Sequence, residues 1–385
     1  MGRVDKLMKT KKTIIIFIHY YLPGYESGGP VKSIANIVKH LGDEFDFRII
    51  TLGWDLKNKT PYPHVRFDEW NNVEKAKVWY YGKTITSIPK LFLELRRLNN
   101  ASIYLNSLFD PIFTFLPLLA IKLKLIHPSR LIVAPRGELS PGAIELKREK
   151  KRSYLRLVKT IGLLRNVVWH ASTQIESTDI KFNIGNGQAI FNACDLSDLP
   201  KPFCNPLSTN SLVFISRITP KKNLAYALST LKQVSSTIDF HIYGTVEDVT
   251  YWQECQQIIS GLPKNVTVFF HGPLNPELVT LNLQKHSLFF FPTRGENYGH
   301  VIAEALCAGL PVLLSDQTPW NDAEKHGAGW IRKLDDQSEF AKAIDRFFSL
   351  SKEEKEAINE NVRLYAEEKL FSKKDIDDNR LLFLN

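Results

Sequence analysis

The sequence predicts an α/β protein built from two Rossmann-like, doubly wound domains. Three observations point to it. Short apolar runs alternate with segments of helical periodicity through both halves of the chain. Each half carries a glycine-bearing or basic loop directly after its first strand. A proline-rich stretch, DLSDLPKPFCNPLSTNS from Asp195 to Ser211, separates the halves and reads as a linker. The chain's 385 residues are too many for one ordinary core and suit two domains of roughly 150–200 residues each.

The first half opens with TIIIFIHYYLP, a strand. ESGGP follows, with Gly28 and Gly29 in a turn that either only reverses the chain or offers amides to an anion. VKSIANIVKHLGD is a helix, with Ile34, Ile37, Val38 and Leu41 spaced three and four apart and Gly42 at its end. FDFRIITL, IYLNS, RLIVAP and VVWHAS supply further strands. PRGELSPGA follows one of them, and Arg136 there is either a surface arginine in a turn or a group facing a site.

The second half opens with the strand SLVFISR, then the basic loop ITPKK, the helix NLAYALSTLKQV and the strand DFHIYG. Arg217 and Lys222 bracket the loop. An Arg fork and a Lys point charge at a helix N-terminus suit a diphosphate, although basic loops are commonly just solvated. VTVFFHG is another strand. SLFFFPT, GENYGHVIAE and PVLLS then read as strand, loop and helix, strand, with Gly309 closing the helix. The loop TRGENYG lies at the carboxyl end of its strand, where ligands bind in such sheets. It holds Glu296. Gly299 permits close approach to the backbone, and Asn297 is either a helix N-cap or part of the site. Glu304 sits among small residues on a buried-looking helix, and a buried carboxylate needs a partner.

Net charge is +9, which suits a nucleic acid, an anionic membrane or a phosphorylated substrate without choosing among them. Cys194, Cys204, Cys255 and Cys307 are dispersed, so neither a disulfide framework nor a metal site is expected, and a reduced cytoplasmic setting is the default. TIIIFI is too short for a signal-peptide core. PIFTFLPLLAIKLKLI, Pro111 to Ile126, is broken by Pro117, Lys122 and Lys124, and reads as a buried helix rather than a span. The stretch 143–166 reads as a basic amphipathic helix, either solvated or in contact with an anionic membrane. His19, His170 and His300 stand in no catalytic motif, and no Walker A or GxGxxG motif is present. The tail from Lys352 is charged and helical in pattern.

GENYGHVIAE, with Glu296 and Glu304 seven residues apart between them, resembles the E-x7-E motif of retaining glycosyltransferases of family 4. SRITPKKN resembles that family's Arg-x4-Lys phosphate motif, and SGGP its N-terminal glycine loop. PRGELSPGA, IYGTVED and SDQTPW are similar to segments of bacterial members that build surface polysaccharides. The resemblance implies a GT-B fold, two Rossmann-like domains facing across a cleft. Residues 1–200 would form the acceptor domain, 201–365 the nucleotide-sugar donor domain, and 366–385 a tail crossing back to the first. It implies that Glu296 contacts the donor sugar, Glu304 the ribose, Arg217 and Lys222 the diphosphate, and that amides of Tyr298, Gly299 and His300 complete the cradle. Gly28 and Gly29 would add donors to the departing phosphate. No metal or cofactor is implied; the partners are a UDP- or GDP-sugar and a glycan or lipid-linked acceptor, with no nucleic acid. The protein would be cytoplasmic, or peripheral at the inner membrane face. The chain departs from the pattern in having PRGEL where many members carry a histidine, which makes Arg136 the candidate for part of that role. It also has a single glycine, Gly244, where a pair is usual. Against this stand a sugar-nucleotide epimerase or phosphorylase of the same fold, and a non-catalytic basic protein that binds membrane or nucleic acid.

Overall fold

The computed structural model describes residues 11–24, 28–56, 60–98, 100–145, 147–200, 202 and 210–384. Glu26 and Ser27 of the glycine loop, Leu146, and residues 201 and 203–209 of the proline-rich stretch, Cys204 among them, lie outside the described residues. The chain forms two compact units, Met1–Leu196 with Lys374–Asn385, and Ser197–Lys373. These divisions lie four and eight residues from the 200 and 365 expected from sequence.

The N-terminal unit has eight strands: β1 Lys12–Phe17, β2 Phe45–Leu52, β3 Trp70–Val73, β4 Ala76–Tyr81, β5 Ser102–Leu105, β6 Arg130–Val133, β7 Val167–Ala171 and β8 Ala189–Asn192. They lie in the order β3-β4-β2-β1-β5-β6-β7-β8. All neighbours are parallel except the β3–β4 pair. Successive side chains of a strand point to opposite faces, and here both faces are covered. Ile14 and Ile16 join one core with Val31, Ile34, Ile37, Val38 and Leu41 of the Gly29–Leu41 helix. Ile15 and Phe17 join the other. That is why TIIIF is apolar without alternation. The last helix, Lys373–Leu384, buries Leu382 and Phe383 in this unit, the Phe383 ring meeting those of Phe45, Phe47 and Tyr104.

Two helical expectations are corrected here. Pro111 to Ile126 is not a buried helix but a π-turn, Pro111–Phe115, running into a short α-helix, Leu116–Lys122. Phe113, Thr114, Pro117, Leu118 and Ile126 are buried, while Leu116, Leu123 and Leu125 are exposed. The basic stretch is helical over Arg148–Thr160, with Leu155 and Val158 buried. Among the described residues no helix is long and apolar enough to cross a membrane.

The C-terminal unit has a six-stranded, wholly parallel sheet: β9 Ser211–Ile215, β10 Ile238–Tyr243, β11 Val266–Phe270, β12 Leu288–Phe291, β13 Val312–Ser315 and β14 Gly329–Arg332. Their order is β11-β10-β9-β12-β13-β14. β12 is buried throughout, and the His300–Cys307 helix behind it buries six of its eight residues. Gly309 ends that helix as expected. Its φ is +81°, its amide donates to Leu306 O, and Leu310 N donates to Ala305 O, the paired bonds of a Schellman close.

Candidate functional site

β9 and β12 are neighbours in space, yet the chain leaves β9 toward β10 on one side and returns as β12 on the other. The strand order reverses there, and the loops beyond the carboxyl ends of the two strands stand where ligands bind in such sheets. The loop after β9 is pinned. Ser216 N donates to Tyr243 O at 3.0 Å and Ile218 N to Thr245 O at 2.9 Å. A Cβ on Gly244 would lie 1.7 Å from Ser216 O, so the two backbones meet only because that residue is glycine. A 3-10 turn over Pro220–Lys222 follows, and Asn223, left-handed at φ +65°, starts the Leu224–Leu231 helix.

Asn223 is buried and joins the two loops. Its Nδ2 donates to Pro292 O at 2.8 Å, and its Oδ1 accepts from Arg294 Nε at 3.2 Å. Arg294 N also donates to Lys221 O at 3.0 Å. These bonds bring Lys222 Nζ to 2.6 Å from Glu296 Oε1, with both side chains largely buried. Thr293 Oγ1 donates to the same carboxylate oxygen at 3.1 Å. The loop after β13 completes the support: Glu296 N donates to Gln317 O at 3.0 Å, and Trp320 Nε1 to Tyr298 O at 2.6 Å.

The His300–Cys307 helix begins at this loop, so its first-turn amides point toward it. Its N-cap is Gly299, at φ +82° and without a side-chain cap. The N-cap alternative for Asn297 is therefore corrected: Asn297 stands two residues earlier, half-buried in the loop. The Tyr298 ring lies edge-on to His300 and Trp320. Glu304 is buried one turn into the helix. Arg217 is paired with Glu247, Nη1 to Oε1 at 3.0 Å, and remains substantially exposed. Lys221 is held below the usual lysine pKa, first by burial and then by repulsion from Lys222 and Arg217, which Glu296 only partly offsets. Positive charge is in excess at these loops, and an anion would relieve it.

The N-terminal unit places the remaining candidates. Gly28, at φ +70°, precedes the Gly29–Leu41 helix, with nothing within 4 Å of where a Cβ would stand. Arg136 is turned inward. Its side chain is 6% exposed and all three of its guanidinium nitrogens are engaged. Nε donates to Asn106 Oδ1, Nη1 to Asp195 Oδ1 and Ser172 Oγ, and Nη2 to the Tyr104 hydroxyl, at 2.5–2.9 Å. Burial is the strongest influence and opposes its charge, but Asp195, Tyr104 and Glu176 together outweigh it and the pKa is raised. Arg136 braces the segments that follow β5, β6, β7 and β8. Glu138 is likewise internal and accepts from Ser107 Oγ and Leu108 N.

Sequence reasoning did not single out Lys221, Asn223, Thr293 or Trp320. Asn223 had one signal, an asparagine at a helix start after a basic loop, because Asn tolerates the left-handed conformation. The others are recognisable only once the loops are adjacent.

This geometry defines a class first: a two-unit α/β fold with parallel sheets, the GT-B architecture. HepE from Anabaena, solved with UDP and glucose, is similar over 96% of this chain and 98% of that one, with a TM-score of 0.69 and 17% identity. Sucrose-phosphate synthase from Thermosynechococcus elongatus is similar over 97% of this chain and 100% of that one, with a TM-score of 0.71 and 13% identity. At these identities the likeness is one of fold. More particularly, residues 200–364, which lie in the C-terminal unit, match the family described as Glycosyl transferases group 1. A curated relative, 2-deoxystreptamine N-acetyl-D-glucosaminyltransferase of Niallia circulans, is 23% identical over 177 residues. The match covers 45% of this chain and 44% of that protein, less than half the length of either.

Proposed function

We propose that the protein is a retaining glycosyltransferase of family 4 type, moving a sugar from a nucleotide-diphosphate donor to a glycan or lipid-linked acceptor in the assembly of a cell-surface polysaccharide. The observation that carries this is the Lys222–Glu296 pair at the β9/β12 switch point, a cation and a carboxylate 2.6 Å apart beside a helix N-terminus. A nucleotide sugar presents a diphosphate and a ring of hydroxyls side by side. It suits this pair: Lys222 turns to the phosphate, and Glu296 accepts from the sugar hydroxyls. Glu304 is assigned to the ribose.

Breaking the sugar–phosphate bond leaves charge on the diphosphate, and catalysis lies in stabilising it. Lys222, Lys221 and Arg217 supply fixed cations, and the amides of Tyr298, Gly299 and His300 supply dipoles, without calling on a metal. Gly28 and Gly29 are assigned to the same phosphate from the N-terminal unit. Arg136 contributes by bracing that unit and not by contact. HepE, of the same fold, was solved with UDP and glucose, which makes UDP the first nucleotide to test and GDP the second. The proposed setting is cytoplasmic, at the inner membrane face where lipid-linked acceptors lie.

A thermal-shift titration tests the donor site. UDP at one hundred times its Kd stabilises by about 2.7 kcal/mol and raises the Tm by several degrees. Lys222→Ala removes the shift. Glu296→Gln keeps it and abolishes transfer. No shift with UDP or GDP refutes the donor site, and full transfer by Glu296→Gln removes that residue from catalysis.

A further inference from the structure

Lys222 and Glu296 are assigned above to different parts of one donor, yet each is the other's partner. Lys222 Nζ is 2.6 Å from Glu296 Oε1, and the two side chains are 16% and 10% exposed. Thr293, fully buried, reaches the same carboxylate oxygen at 3.1 Å, but its hydroxyl has a second acceptor in Lys221 O at 3.3 Å. One hydroxyl carries one proton, so Thr293 serves one of these acceptors at a time. Lys222 is therefore the main countercharge of the carboxylate. The loop that carries Glu296 is fastened on both sides. Glu296 N donates to Gln317 O at 3.0 Å, Gly295 N to Thr293 Oγ1 at 3.3 Å, and Ser315 Oγ to Thr293 O. The carboxylate can turn about its own bonds, but its charge stays beside Lys222.

A diphosphate drawn to Lys222 thus arrives next to a carboxylate. Two anions sharing one cation in a largely buried place repel each other. The outcome depends on what the nucleotide brings with it. A sugar still attached brings hydroxyls, and a carboxylate accepts readily from hydroxyls, so Glu296 exchanges one partner for others. A nucleotide that has lost its sugar brings only the second anion. It takes the charge of Lys222 and offers Glu296 no donor, and a buried carboxylate deprived of its partner is costly.

We propose that Glu296 is a specificity determinant that tells the donor from the spent nucleotide: it admits the sugar-bearing nucleotide and weakens the hold on the nucleoside diphosphate left after transfer. The inference rests on the transferase reading above and uses groups of the C-terminal unit alone. Lys222 attracts both ligands. Specificity is the difference between two affinities, and the carboxylate creates it by opposing one of them. The consequence for turnover is faster release of the spent nucleotide, a step that limits many enzymes. The Arg217–Glu247 pair acts differently. Glu247 holds Arg217 Nη1 at 3.0 and 3.4 Å, and Arg217 is 45% exposed. Water reaches this pair, so a diphosphate that draws Arg217 away leaves Glu247 hydrated with or without an attached sugar.

Calorimetric titration of the full chain with UDP, UDP-glucose and UDP-N-acetylglucosamine tests this, with circular dichroism to check that each variant is folded. Glu296→Gln removes the charge and keeps the shape. Its Kd for UDP should fall about tenfold, the scale of one partly screened like-charge contact. Its Kd for whichever UDP-sugar the wild type holds more tightly should stay the same or rise. Glu296→Ala should change UDP binding in the same direction, which gives a second route should Glu296→Gln fold poorly. Glu296→Asp keeps the charge, so its UDP affinity should stay near that of the wild type. Glu247→Gln should move UDP and the UDP-sugar together. Unchanged or weaker UDP binding in Glu296→Gln would overturn the proposal. So would a gain shared equally by UDP and the UDP-sugar, or a like gain in Glu296→Asp. Where the wild type binds GDP instead, GDP and GDP-mannose take the places of these ligands. If it binds neither UDP nor GDP, the transferase reading fails first, before any variant is compared.

Discussion

Arg136 illustrates what one residue's surroundings decide. Its place after a strand, in PRGEL, is the place of a functional arginine, and the chain spacing agrees with that reading. The partner that captures it, Asp195, lies 59 residues on and accepts at 2.5 Å. Nothing in the local sequence announces that capture. A buried arginine with all three guanidinium nitrogens engaged is tied into the fold, and its removal takes the cation from the Asp195 carboxylate, which keeps hydrogen bonds from Ser33 and Ser172. Arg136→Ala should therefore cost about 3–5 kcal/mol in urea denaturation, the usual scale for breaking a buried ion pair. The donor affinity of the molecules that remain folded should be close to wild type. Lost transfer with unaltered stability would return Arg136 to the substrate.

Elements were legible where their faces are uniform. SLFFF and PVLLS are buried on both sides, and the helix between them ends on Gly309, so the unit could be read directly from the letters. The hairpin Trp70–Val73 with Ala76–Tyr81 escaped because its outer strand is an edge with polar, half-exposed residues. β8 and β14 are likewise four-residue edge strands, too short for a periodicity to show. In the site, residue types were legible but pairings were not: Lys222 meets Glu296 across 74 positions, and Arg217 meets Glu247 across 30. The Arg148–Thr160 helix carries the membrane expectation, and the structure narrows its test. Lys151 Nζ donates to Glu138 O and Ala143 O at 3.0 Å each and lies over the Phe109 ring, so it is an internal brace. Lys150 and Arg152 are the residues to reverse. If the helix contacts membrane, Lys150→Glu with Arg152→Glu should weaken co-sedimentation with phosphatidylserine vesicles by about 1 kcal/mol for each cation removed, and more for reversal. Unchanged sedimentation would make it a solvated helix.

At the scale of the whole molecule, the two units carry different acid responses. His286 in the C-terminal unit is buried, with Nδ1 3.2 Å from Ser211 Oγ. Its pKa is lowered to about 3, by burial first and then by His241, His271 and Lys285. In the N-terminal unit His170 sits between the Tyr104 hydroxyl and Ala193 O, and is lowered to about 4 by burial and by Arg136. A histidine depressed in the folded state binds fewer protons there than when unfolded. Stability is then full above about pH 6.5 and is lost as pH falls toward the folded value, at about 1.4 kcal/mol per pH unit for each group. The N-terminal unit has an opposing set. Burial raises Asp179 to about 6, and also raises Glu138 and Glu176. A carboxyl raised in the folded state binds protons there first, so stability rises as pH falls from its folded pKa to its unfolded one. The C-terminal unit has the opposite bias, since Asp322 and Asp345 are held low and add to the acid loss below about pH 4. The C-terminal unit should accordingly unfold first in acid. Calorimetry between pH 7 and pH 4.5 should resolve a transition whose Tm falls steeply and another that moves less. His286→Gln should flatten the steep one, and under the proposed function UDP should shift it selectively at pH 7. If the two transitions move together, or if His286→Gln leaves the slope unchanged, the assignment of acid sensitivity to that histidine fails.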